Sequence, residues 1–212
     1  MLVFGTEMHL VTFAFVSIEI VFLFYLIIFR LTRPDDEAAR LNIVLLLLLI
    51  GYNLTGGLLP DSNLPGSYFL QESIAYGTGF ITPCYFPYYV YKVFDLKSFK
   101  FHAYRGIYYF LVLPYLIFLA VFRLTNDLQF AQNIFLIPVL YGVFVIFSMI
   151  KAIKTKYASN FHCPEARQEI VVFLFSLTPW IALPVIDYLN LGQVPEVSVT
   201  NIGFLLLFGL QV

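Results

Sequence analysis

The sequence predicts an all-α membrane protein: a seven-transmembrane-helix bundle with its N-terminus outside and its C-terminus inside. Three observations carry that expectation. The chain of 212 residues is 60% hydrophobic and only 12% charged, with mean hydropathy +0.85, whereas soluble domains run about 45–50% apolar and about 25% charged. Its apolar stretches have the length of spans, and runs such as LLLLLI at 45–50 lack the alternation of a strand. The basic residues collect in alternate loops. At about 20 residues per span plus short loops, this length holds seven helices and no separate soluble domain.

The first helix is expected at 8–29. Residues 1–8 carry no Lys or Arg, so this stretch lacks the basic leader of a secretory signal, and it runs too long for one. A polar loop from Arg30 to Arg40 ends it. The second helix is placed at 41–59, and Pro60 to Gly66, rich in breakers, forms a turn. The third, 67–94, is apolar enough to span yet carries Gln71, Glu72, Thr78, Thr82, Pro83, Pro87 and six tyrosines. A charge at membrane depth costs roughly 2.5–3.5 kcal/mol, so this helix is expected in the interior of the bundle. Helices at 104–122, 130–153 and 169–189 follow, with loops at 95–102, 123–129 and 154–168. A seventh opens at 198 and has about 15 residues before Val212, short of the roughly 20 a span needs. The expectation is a chain cut before a cytoplasmic extension, so that 1–212 is a single transmembrane domain.

Orientation follows from charge. The loops after helices one, three and five hold Arg30, Arg33, Arg40, Lys92, Lys97, Lys100, Arg105, Lys151, Lys154, Lys156 and Arg167, eleven of the twelve basic residues. Only Arg123 lies on the other side. Lys and Arg are retained on the cytoplasmic face during insertion, which puts the N-terminus outside.

With directions assigned, the polar groups expected inside the membrane gather in its outer half. They are Glu19 near mid-membrane, Asn53 in helix two, Gln71, Glu72 and Tyr76 in helix three, Trp180 and Asp187 in helix six, and Thr200 and Asn201 in helix seven. The inner halves read as Phe, Leu, Ile and Val, and helices four and five read as outer scaffold. A ligand pocket between helices one, two, three, six and seven, open to the outside, would collect these groups. Glu19 stands out because it lies about 11 residues from either helix end, roughly 16 Å, too far to snorkel. It is either protonated or paired with a donor such as Asn53, a tyrosine hydroxyl or water.

Thr82-Pro83 with Pro87, and Thr178-Pro179 with Pro184, place paired prolines in helices three and six. Proline removes a backbone hydrogen bond and kinks a helix, and a threonine hydroxyl can satisfy a freed carbonyl. Such kinks fit a bundle that shifts between packings and equally a static bend. Gly56-Gly57 permits close helix contact. Asn53-Leu-Thr55 matches a glycosylation sequon but falls inside a helix.

Cys84 and Cys163 share no ligand-like spacing, the histidines His9, His102 and His162 are scattered, and no nucleotide loop or Ser/His/Asp arrangement is present. Neither metal nor cofactor is expected, nor catalysis by this segment. A net charge of −1 gives no pull toward nucleic acid. The expected surroundings are a lipid bilayer and a small-molecule or lipid ligand of unspecified identity.

The stretches FITPCYFPYYVYKVF, SLTPWIALPVIDYLNLGQ and NIGFLLLFGLQV resemble those ahead of histidine-kinase modules in Bacteroidetes-type sensor proteins. The resemblance covers the whole chain and supplies no ligand residues. It implies the sensory input region of a two-component receptor in the bacterial inner membrane, relaying a signal through helix seven to a cytoplasmic output. It also implies a homodimer formed through that extension. A small seven-helix transporter or channel is the alternative, but a path needs polar groups at both depths.

Overall fold

The computed structural model describes residues 2–3, 5–157, 164, 167–168, 170–171, 189 and 197–205. The described part is helical, with one isolated bridge between Leu2 and His9. Most of the expected helix at 169–189, and with it Pro179, Trp180, Pro184 and Asp187, lies outside the described residues.

Helix α1 (Leu10–Thr32) starts at His9, whose ring nitrogen accepts from the Val11 amide. At its other end the Arg30 guanidinium donates to the carbonyls of Arg33 and Asp36, both at 3.0 Å, which closes the turn into the next helix. Helix α2 (Glu37–Leu58) begins four residues before the sequence expectation, because the Asp36 carboxylate accepts from the Ala39 amide at 3.0 Å. An acidic cap satisfies an otherwise orphaned first-turn donor and complements the helix dipole. The Arg30–Arg40 segment is therefore only partly loop.

Helix α3 (Tyr68–Val93) is capped by Ser67 and stays continuous across Pro83 and Pro87. The Thr82 hydroxyl lies 3.4 Å from the Leu48 carbonyl and 3.5 Å from that of Thr78. It thus faces the α2 interface, away from the Gly79 carbonyl that Pro83 leaves without its usual donor.

The largest difference falls at 95–102, expected as a loop. After a left-handed residue at Asp95 (φ 47°), helix α4 (Lys97–Thr125) begins almost at once. Leu96, Phe99, Ala103, Ile107 and Leu111 are buried at spacings of three and four, so a helical stripe is seated against the core while Lys97 and Lys100 stay outside. Two π-helical stretches, His102–Gly106 and Tyr108–Val112, interrupt α4. They coincide with the place where the Tyr141 hydroxyl presses on Gly106 and pairs with His102 Nδ1 at 3.1 Å. Asn126, left-handed at φ 53°, ends α4, and Asp127 caps helix α5 (Leu128–Lys156) by accepting from the Phe130 amide. Residues 197–205 form a last helical segment.

Four of these helices, α1, α2, α4 and α5, are long and apolar enough to cross a membrane. Their outward faces fit that solvent: Val21 (69% exposed), Phe24, Ile28 and Leu31 on α1, and Leu140, Phe144 and Phe147 on α5, form apolar surfaces that water would penalise. Helix α3, at 26 residues, is long enough, but its tyrosines and amides keep it out of that group. It lies among the others and joins two cores. One is built from Leu45, Leu46, Leu49, Phe86, Tyr89 and Val90 with Phe204 of the last segment. The other is aromatic, Phe118, Phe122 and Phe135 with Tyr76 and Phe80 packed on it.

Candidate functional site

The helices bring three of the sequence-predicted residues into contact. Glu19 lies on the buried stripe of α1 with Thr12, Val16 and Leu26. Asn53 lies on α2 one turn before Gly57, where a Cβ would stand 3.1 Å from the Thr12 methyl and 3.2 Å from Met8. A glycine there lets α1 and α2 approach closely, the role expected for Gly57. At that close crossing the Asn53 side-chain amide donates to Glu19 Oε1 at 2.8 Å and to Asn201 Oδ1 at 2.9 Å. All three side chains are sealed from solvent, at 0%, 1% and 0% exposure.

This arrangement is a closed polar core, whereas the sequence expectation was a pocket open at one end. A linear bond chain runs from α1 through α2 to the 197–205 segment, linking residues 148 positions apart. Three atoms of this trio are buried without a protein partner, Glu19 Oε2, Asn53 Oδ1 and Asn201 Nδ2, as are the hydroxyls of Thr12, Tyr52 and Thr200 elsewhere on the same three elements. Natural proteins satisfy nearly all such groups, so a cluster of them marks a place where something else completes the bonding.

The other named residues have separate surroundings. The Gln71 side chain is occupied by the turn before α3: its carbonyl accepts from the Asp61 amide at 2.7 Å, and its amide donates to the carbonyls of Asp61 and Leu64. It fixes the α2–α3 connection. Glu72 is also buried, with the Tyr68 side chain one turn earlier on α3 as its polar neighbour. Tyr76 turns to the aromatic core, where its hydroxyl accepts from Gln132 Nε2 at 2.6 Å. Pro83 and Pro87 are buried within α3. Cys84 is a free thiol.

Thr12, on the buried stripe of α1, and Tyr52, packed toward Gly79 of α3, also carry partnerless buried hydroxyls and were not singled out in the sequence. Thr12 sits seven residues, two turns, before Glu19, a spacing that was readable; a tyrosine beside an asparagine gives no such sign. Asn42 was also missed: it is buried toward the start of α2 and accepts from the Tyr89 hydroxyl at 2.6 Å. Asn42–Tyr89 is thus a satisfied buried pair apart from the polar core, as is His102–Tyr141. Among the described residues, no group of three or more His, Cys, Asp or Glu is placed to hold a metal ion.

No family model, no curated protein and no solved structure matches this chain.

Proposed function

We propose that this chain is the membrane-embedded sensory input region of a bacterial signal-transduction receptor. In this reading it is a seven-helix bundle in the inner membrane, with its N-terminus outside, and its last helix carries the signal to a cytoplasmic output such as a histidine kinase. The observation that supports this most is the Glu19–Asn53–Asn201 chain. A buried polar link between the first, second and last helices makes the seating of the last helix depend on whatever perturbs the polar core. Among the described residues the adjoining layer, Leu45, Leu46, Leu49, Phe86 and Phe204, is apolar, and that disfavours a conducting path.

The test is phosphorylation in inside-out membrane vesicles carrying the complete gene product. ATP-dependent phosphoryl incorporation that changes at least several-fold in Asn201→Leu, at equal protein level, is the expected result. No incorporation, together with solute accumulation by the same protein in proteoliposomes, would overturn the receptor reading in favour of a transporter.

A further inference from the structure

The Glu19 carboxylate poses a charge problem that the chain's own cations do not solve. All twelve Lys and Arg residues fall among the described residues and none is buried; Arg30 is half-buried and the others are exposed. His9 caps α1, and His102 is engaged with Tyr141. Among the described residues Glu19 therefore has one neutral donor, the Asn53 amide, and no fixed positive partner. An isolated ionised carboxylate is far too costly to bury on those terms, so it is neutralised either by a proton or by a mobile cation.

The partnerless atoms around it say what kind of species that is. On the linked residues and on Thr200, beside Asn201 in sequence, all but Asn201 Nδ2 are oxygens: a carboxylate oxygen (Glu19 Oε2), an amide oxygen (Asn53 Oδ1) and a hydroxyl (Thr200). An anion would be repelled by an ionised Glu19 carboxylate. A soft or transition metal would call for thiolate or imidazole, and none adjoins the cluster among the described residues. Surroundings of mostly oxygen suit a hard cation, and a single carboxylate balances a single positive charge.

We propose that Glu19 Oε2 and Asn53 Oδ1 bind a sodium-like monovalent cation, with the Thr200 hydroxyl, next to Asn201, as a further oxygen ligand. Thr12 lies one α2 turn away, its methyl packed against Gly57, and is not a ligand. Binding draws together Glu19 from α1, Asn53 from α2 and the 197–205 segment. The cation thus acts as a fourth member of the chain already bonded there. The site does not depend on the receptor reading, since a transporter with the same residues would hold the ion equally.

The experiment is thermal unfolding of the purified chain in nanodiscs, in NaCl, KCl or choline chloride at equal ionic strength. Sodium is expected to raise Tm saturably relative to choline, on the order of 5 °C at a hundredfold excess over Kd. The rise is expected to vanish in Glu19→Gln and to need several-fold more sodium in Thr200→Val. Equal Tm in sodium and choline, or an unchanged sodium effect in Glu19→Gln, overturns the proposal. A Tm that follows pH and ignores sodium also overturns it, a proton then being the neutralising species. Should Glu19→Gln not fold, radioactive sodium binding to the wild-type chain decides: one displaceable ion per chain supports the site, and none refutes it.

Discussion

Asn53 spends both hydrogens of its side-chain amide inside the bundle, on Glu19 and on Asn201. Replacing it by leucine keeps the volume and removes both bonds, leaving a carboxylate without its donor. Unsatisfied buried groups cost more than the bonds themselves contribute. Asn53→Leu is therefore expected to lose about 2–4 kcal/mol, or roughly 5–10 °C of Tm, in detergent unfolding. Glu19→Leu with Asn53→Leu removes both partners and should recover half of that loss or more. A double variant no more stable than the single one would mean that the stranded carboxylate is not the cause. At this scale Glu19 was legible because its depth forbids snorkelling, and Asn53 because depths can be matched across antiparallel helices. Tyr52 was not, since a hydroxyl is unremarkable in a membrane helix until its neighbours are known, whereas the two-turn spacing of Thr12 from Glu19 could have been read.

Helices were legible as elements wherever apolar length sufficed, and their ends wherever a cap could be read. Asp36 and Asp127 are such caps, overlooked because the polar segments around them read as loop. The stripe from Leu96 to Leu111 shows the same oversight: two lysines made 95–102 look like a connection, while the apolar spacing already favoured helix. Gln71 illustrates what remained hidden. Its engagement of the Asp61 and Leu64 backbone depends on how the turn folds back, which no periodicity reports. Between α3 and α4 the fit is set by a glycine: a Cβ on Gly77 would meet the Tyr115 hydroxyl at 2.7 Å, and that hydroxyl donates to the Ser73 carbonyl at 2.7 Å. Gly77→Ala should therefore cost about 1–3 kcal/mol by overpacking. Adding Tyr115→Phe should relieve most of that cost, measured as Tm of the single and double variants. An additive double variant would place the strain elsewhere.

For the molecule as a whole, apolar side chains alone do not specify how helices associate in lipid, because lipid tails are as apolar as leucine. Close packing at glycines, aromatic interlocking and polar links do that work here, at Gly57 and Gly77, in the Phe118–Phe135 cluster and along Glu19–Asn53–Asn201. The all-helical, membrane-embedded character was legible from composition, since nothing else accommodates so many exposed apolar residues. The association of the 197–205 segment with α1 and α2 was legible only as a shared depth. The central claim is that this buried amide link couples the last described helix to the second. It is tested most directly by a double-mutant cycle on Asn53→Ala and Asn201→Ala, read by equilibrium unfolding of the chain in detergent. A coupling energy of about 0.5–1.7 kcal/mol is predicted; additivity within about 0.3 kcal/mol would contradict it.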